Sequence, residues 1–190
     1  MSLEVWAQGV VPRVQQNWKR DVFDAKPPVF ENPMARAKIT VSGQWSNCGP
    51  EFINDGNIDA GGHWACTKLP AVMTAELDQA AALKGVQVWF YYTDGRSYQY
   101  FAECSTDGTG WVRFADGTTN TLPATKDGTV LLFEKPQTIR FIRITIVGGS
   151  KAGAGGHIVE LKALPDVPAA AEGVFGRAVP LTDPVNDRTA

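Results

Sequence analysis

The sequence predicts an all-β protein, an antiparallel jelly-roll sandwich of two sheets. Five Asp-Gly pairs, at 55–56, 94–95, 107–108, 116–117 and 127–128, place tight turns at short intervals along the chain. The segments between the turns are short and rich in β-branched and aromatic residues, as strands are. A jelly roll is favoured over an immunoglobulin-like sandwich, which the same pattern also permits.

Eight strands are predicted. In chain order they span 37–42, 71–77, 85–92, 97–104, 111–115, 129–134, 139–147 and 157–164. The seventh has the clearest alternation, because isoleucines at 142, 144 and 146 would face one side of the sheet and Arg143 the other. Only residues 78–84 favour a helical turn.

The chain is expected to form one domain with an extended arm at each end. Residues 1–34 carry four prolines between scattered aromatic residues, which predicts an N-terminal arm that packs on the core. Residues 35–164 hold all the predicted strands. Residues 165–190 carry four prolines around an alanine and glycine stretch, which predicts a linker or a wrapping tail.

Charge and hydropathy argue against two classes of partner. The formal net charge is -2 and there is no run of Lys or Arg, so the concentrated positive field that nucleic acid requires is missing. No apolar run reaches the roughly 18 residues that a membrane span needs. The first residues lack the features of a secretory signal. An extracellular or periplasmic location is therefore expected only for a piece of a larger protein.

The cysteines specify neither a disulfide framework nor a zinc site. Cys48, Cys66 and Cys104 are an odd set without metal-binding spacing. Cys48 and Cys66 flank an Asp-rich loop, so one disulfide between them stays open. Small buried hydrophobic side chains are the favoured interpretation.

No catalytic centre is predicted. The chain has two histidines, His63 and His157, and no Ser, Cys or Thr in a recognisable nucleophile motif. The glycine run at 148–156 is similar to a phosphate-binding loop, but Ala154 stands where such a loop needs lysine. The run is interpreted as a connection between two strands.

The Asp-rich loop at 53–59 is a candidate calcium site. Asp55 and Asp59 supply charge and Asn57 offers a carbonyl oxygen, the kind of ligand that Ca²⁺ prefers. The spacing is not that of an EF-hand. The alternative is a loop whose Asp and Asn side chains cap its own amides.

The same loop begins a resemblance to a known family. The run Asp55-Gly56-Asn57 followed by Trp64, the segments 98–111 and 133–146, and Glu160 resemble the discoidin family, also called coagulation factor V/VIII C-type domains. This family includes the family 32 carbohydrate-binding modules and has a galactose-binding-like fold. The resemblance covers residues 35–164.

The resemblance implies a structural calcium. It would be held by Asp55, by loop carbonyls and by Glu160 near the start of the last strand. The loop here is two residues longer than in the family, and Gly62 stands where the family has a threonine ligand. Asp59 is expected to replace that ligand. The resemblance also assigns Trp64 and Trp111 to packing.

Sugar recognition requires an aromatic ring and a few hydrogen-bonding side chains on loops above a rigid scaffold. The candidate loops lie at 42–50, 61–68, 92–97 and 148–157. The predicted sugar-binding residues on them are Trp45, His63, Tyr92, Arg96 and His157. Tyr91, Tyr98 and Tyr100 are instead expected to be sheet residues.

The sequence therefore predicts a non-catalytic, calcium-stabilised carbohydrate-binding module, an appendage of a larger extracytoplasmic protein. A protein-interaction or adhesion module of the same fold is the first alternative. A fragment of a glycoside hydrolase is the second.

Overall fold

A computed structural model of the chain describes residues 32–151 and 155–166. These residues form antiparallel strands and two short 3₁₀ helices, Pro33–Arg36 and Pro50–Phe52. The strands are β1 (Lys38–Val41), β2 (Trp64–Cys66), β3 (Ala71–Phe90), β4 (Tyr98–Ser105), β5 (Val112–Gly117), β6 (Thr129–Gly149) and β7 (Gly156–Pro165). The all-β prediction is confirmed.

Two pairs of predicted strands are continuous in the structure. The segment 71–77 and all but the last two residues of the segment 85–92 belong to β3, and the segments 129–134 and 139–147 belong to β6. The helical turn predicted at 78–84 is wrong, because Ala81–Leu83 pairs with residues 137–139 of β6. The alanines there favour a helix locally, but pairing with a distant strand overrides that preference. The three-residue strand β2 was not predicted.

The long strands β3 and β6 each take part in two layers. In one layer, the first part of β3, residues 71–76, pairs with β1 and with residues 141–146 of β6. That part of β6 also pairs with β4, and β4 pairs with β5. The last part of β3 pairs with β7 and with the first part of β6, and β2 lies beyond β7. Register shifts between Glu76 and Ala81, and between Leu83 and Gly85, mark the crossing.

Gly85 is required at this crossing. A Cβ atom there would collide with the carbonyl oxygen of Leu131 on the neighbouring strand. Only glycine lets the two backbones approach so closely while β3 changes layers.

The core lies between the two layers. Ile142, Ile144 and Ile146 are fully buried, whereas Arg143 on the opposite face bonds Glu103, so the predicted alternation is confirmed. Aromatic rings cross from layer to layer: Phe90 of β3 stacks on Tyr98 of β4 at 5.0 Å between centroids. Phe114 of β5 meets Phe133 of β6 at 4.5 Å. Burial of such side chains supplies most of the stabilisation.

The two tryptophans assigned to packing do pack. Trp64 is fully buried and its indole N–H donates to the carbonyl of Gly43 at 2.9 Å. Trp111 lies under the guanidinium of Arg143, 3.9 Å from the ring centre. Its ring also meets Phe141 edge-on.

All three cysteines are free thiols, two of them buried. The disulfide left open between Cys48 and Cys66 is therefore not formed. The predicted arm and tail lie almost entirely outside the described residues. From the arm, Met34 is in the core with 1% of its surface exposed. Within the described ranges, no helix is long and apolar enough to cross a membrane.

Candidate carbohydrate-binding site

Three predicted site residues converge at one end of the sandwich. His63 directly precedes β2, and His157 is the second residue of β7. The two strands pair so that His157 lies opposite Ala65. Arg96 lies in the connection between β3 and β4. Folding of the two layers, rather than any local motif, brings these side chains together.

Tyr91 completes the group. The His63 ring lies 4.7 Å from the Tyr91 ring and 5.9 Å from the His157 ring, between centroids. The guanidinium carbon of Arg96 lies 5.2 Å from the Tyr91 ring centre, and its Nη1 is 3.2 Å from Nδ1 of His157. We call His63, Tyr91, Arg96 and His157 the imidazole cluster. All four residues are partly exposed.

Asp94 fixes the position of Arg96. Its carboxylate accepts from Nε at 2.9 and 3.0 Å and from Nη2 at 2.6 Å. Such a two-pronged pair sets the plane of the guanidinium as well as its position. The Arg96 guanidinium, with a smaller contribution from Lys151, lowers the pKa of Asp94 to about 2. Asp94 is therefore ionised at every physiological pH.

The turn itself explains why Asp94 can do this. Gly95 adopts a left-handed conformation with φ of 72°, and the Arg96 N–H donates to Asp94 Oδ1 at 3.3 Å. Asp-Gly favours this geometry because Asp accepts from the backbone two residues on and glycine tolerates positive φ.

The histidines are held neutral. Burial, followed by the charge of Arg96 and the neighbouring His63, lowers the pKa of His157 to about 4. Burial also lowers the pKa of His63. The Nδ1 of His63 lies 3.2 Å from the carbonyl of Ala60, so its proton is assigned to Nδ1. The Nε2 of His63 is then an acceptor for a hydroxyl group.

A buried hydroxyl lies beneath the cluster. Tyr98 is 1% exposed, and its ring lies 6.1 Å from that of His157. Its hydroxyl is near Arg96 but makes no well-directed hydrogen bond with any described residue. Burial raises the pKa of Tyr98, so the hydroxyl keeps its proton and can donate it. An unpaired buried donor at a surface cluster is unusual, because native proteins satisfy nearly all such groups.

The other two predicted sugar-binding residues lie outside the cluster. Trp45 is 56% exposed, and its backbone N–H donates to the carbonyl of Ala65, the residue opposite His157. The Trp45 backbone therefore lies beside β2, next to the strand pair that carries His157. The Tyr92 hydroxyl donates to the carbonyl of Ile58 at 3.0 Å and so holds the Asp-rich loop.

The sequence analysis did not place Tyr91 or Asp94 in the site. Tyr91 was assigned to a strand, but β3 ends at Phe90 after a register shift. Asp94 had a local signal, since Asp two residues before Arg in an Asp-Gly turn can bond that side chain.

The predicted metal ligands divide into two groups. Asp55, Asn57 and Asp59 lie in the exposed loop, and each caps an amide two residues on, at 2.8, 2.9 and 3.1 Å. Glu160 is buried, with 2% of its surface exposed, and accepts from the Gly56 N–H at 2.8 Å. Within the described residues, no three His, Cys, Asp or Glu side chains lie close enough together to hold a metal ion among them.

Glu160 is in an unfavourable environment for a charge. Burial, with a smaller contribution from the nearby carboxylate of Asp55, raises the pKa of Glu160 to about 7. Asp55, Gly56 and Glu160 all line a small cavity of about 100 Å³. Asn54 anchors this loop by donating to the carbonyls of Met34 and Ala37 at 2.8 and 3.0 Å.

The comparisons with known proteins agree with this architecture. The family model for the F5/8 type C domain matches residues 37–161. The chain therefore belongs to the F5/8 type C domain family, and the resemblance stated from the sequence is confirmed. No curated protein matches the chain.

Solved structures share the fold. CpGH89CBM32-4 of Clostridium perfringens is 24% identical, with a TM-score of 0.60, over 70% of this chain and 98% of that one. The family 32 module of C. perfringens NanJ in complex with galactose is 18% identical, with a TM-score of 0.58, over 69% and 95%. A truncated AlyQ with CBM32 and alginate lyase domains is 23% identical, with a TM-score of 0.56, over 66% and 31%. These similarities show that the chain shares its β-sandwich fold with these modules.

Proposed function

We propose that this domain binds carbohydrate through the imidazole cluster and does not itself catalyse a reaction. The observation that carries the proposal is the convergence of an aromatic ring, two neutral imidazoles and an oriented guanidinium at one exposed end of the sandwich. Each supports a different part of sugar recognition.

The ring of Tyr91 offers an apolar face for the C–H groups of a pyranose. His63 keeps an acceptor nitrogen, Nε2, for a sugar hydroxyl, because the Ala60 carbonyl accepts the proton on its Nδ1. His157 accepts from Arg96 at Nδ1, which leaves its Nε2 proton as a donor. Arg96 is immobilised by Asp94, so little side-chain entropy is lost when it binds a ligand. Trp45 is exposed and its backbone lies beside Ala65 of β2, so its ring is available to a second sugar unit of a longer chain.

The structures that share the fold support this function. NanJ's module was solved with galactose, and AlyQ joins such a module to a lyase domain. We infer that this chain likewise belongs to a larger extracytoplasmic, glycan-active protein. Its role there is to keep the parent protein near its polysaccharide, because tethering raises the effective concentration of the substrate.

Affinity gel electrophoresis with a panel of neutral and acidic polysaccharides tests the proposal. At least one polysaccharide should retard the protein, and Tyr91→Ala or Arg96→Ala should abolish the retardation. Thr118→Ala is the matched control, because Thr118 is exposed and its hydroxyl bonds Asp116 within the same turn. Uniformly unretarded protein would favour the alternative, a protein-interaction module of the same fold.

We also propose that Asp55 and Glu160 hold a structural calcium ion. A buried carboxylate beside a second carboxylate is costly without a cation. Carboxylate oxygens are the ligands that Ca²⁺ prefers, and it would neutralise both groups. The remaining ligands would be loop carbonyls and water. Asn57 and Asp59 stay predicted ligands, although their side-chain oxygens already cap loop amides.

A further inference from the structure

The charges around the imidazole cluster are unbalanced. Arg96 is in the cluster, and Asp94 and Lys151 are joined to it: Asp94 bonds Arg96, and Lys151 Nζ lies 3.7 Å from Asp94 Oδ2. These groups carry two positive charges and one negative charge. The histidines add none at neutral pH. This local positive excess occurs in a chain whose formal net charge is -2.

The same groups offer more donors than acceptors. Asp94 occupies Nε and Nη2 of Arg96, which leaves Nη1 directed toward the cluster. Lys151 approaches Asp94 at ion-pair distance, and its side chain is 50% exposed, so ammonium protons remain for a ligand. Lys and Arg donate and never accept.

We propose that the ligand carries a carboxylate, so that the sugar recognised at the imidazole cluster is acidic, of the uronic acid class. This inference rests on the proposed function. A carboxylate would accept from Arg96 and Lys151 in charge-assisted hydrogen bonds, which are about twice as strong as neutral ones. The hydroxyl groups of the same sugar would meet His63 and His157.

Asp94 explains why two cations can stand together without a ligand. Its carboxylate lies between them and neutralises one of the two charges. It also holds Arg96 in a fixed plane, with only 17% of that side chain exposed, so the ligand does not have to order it. The second positive charge is left for the bound sugar.

The test compares each acidic polysaccharide with its own neutral form. Polygalacturonate, alginate and hyaluronan are cast in affinity gels beside their carboxyl-reduced counterparts, which keep the backbone and lose the charge. At least one acidic form should bind about fivefold or more tightly than its reduced form. Raising the salt concentration should weaken that binding.

Lys151→Met should remove most of this preference for the acidic form. Lys38→Met is the matched control, because it makes the same charge change at an exposed position on β1. The control should leave the preference unchanged, which separates a specific contact from the net charge of the protein.

Two results would overturn the inference. The first is that the carboxyl-reduced forms bind as tightly as the acidic ones, or that both lysine variants weaken binding equally. The ligand would then not be recognised through its carboxylate, although carbohydrate binding at the cluster would still be supported. If the protein is retarded by no polysaccharide of either kind, the proposed function fails as well.

Discussion

Glu160 gives the sharpest test of the loop that flanks β7. Its pKa is raised from an ordinary 4.5 to about 7 by burial and by Asp55. Between these values the unfolded state releases a proton that the folded state keeps. The free energy of unfolding contributed by this carboxyl therefore falls as pH rises from 4.5 to 7, and is constant above 7. The full cost to the folded state is about 3 kcal/mol.

Glu160→Gln removes this cost, because the amide is neutral and its oxygen can still accept from Gly56. In EDTA, the variant should equal the wild type near pH 4.5 and exceed it in unfolding free energy by up to about 3 kcal/mol at pH 8. Chemical denaturation across that pH range measures the difference. Taking the difference cancels the contribution of the histidines, whose pKa values shift the other way.

Calcium should reverse the order at pH 8. It stabilises the wild type, because it binds the ionised carboxylate, and leaves Glu160→Gln unaffected. Glu134→Gln on β6 is the matched control, since Glu134 is exposed and its replacement makes the same charge change. Parallel pH curves for the wild type and Glu160→Gln in EDTA would show that the burial argument is wrong. Equal melting temperatures with and without calcium would remove the metal from the loop.

Three further predictions concern the cluster and the core. His157 has a lowered pKa, so its contribution to stability is lost as pH falls from 6.5 toward 4. His157→Gln should therefore make the free energy of unfolding less dependent on pH in this range. An unchanged pH dependence would contradict the prediction. Ile144→Ala should lower the free energy of unfolding by about 3 kcal/mol, because removing a fully buried side chain leaves a cavity. A loss below about 1 kcal/mol would mean that the two layers close around the cavity. Trp45→Ala should weaken retardation by polysaccharide but leave the melting temperature unchanged, since Trp45 is 56% exposed. A loss of stability with no effect on binding would show that Trp45 serves packing instead.

Most of the fold could be predicted because its signals are local. Asp-Gly turns and the isoleucines of β6 report turn and strand directly. The crossing of β3 between layers has no such signal, since residues 78–84 favour a helix and only their pairing with β6 makes them extended. The three residues of β2 are too few for any periodicity to show.

The side chains of the candidate site could be chosen only in part from the sequence, because they come from distant segments, and their role stays a prediction. His63, Arg96 and His157 stood out as rare polar side chains in loops, and the fold brings them together. The choice between Tyr91 and Tyr92 depends on where β3 ends, because a shift of one residue reverses the direction of a side chain. Asp94 reaches Arg96 through a turn that the sequence does contain.

Chemical-shift mapping by NMR, with a polysaccharide fragment that retards the protein, tests carbohydrate binding at the imidazole cluster most directly. Side-chain resonances of His63, Tyr91, Arg96 and His157 should move together and saturate with one dissociation constant. Those of Arg113 and Arg143, which lie on either side of Glu103 on the outer face of the β4 layer, should stay fixed. Shifts confined to that outer face, or spread evenly over the surface, would contradict the assignment of the site.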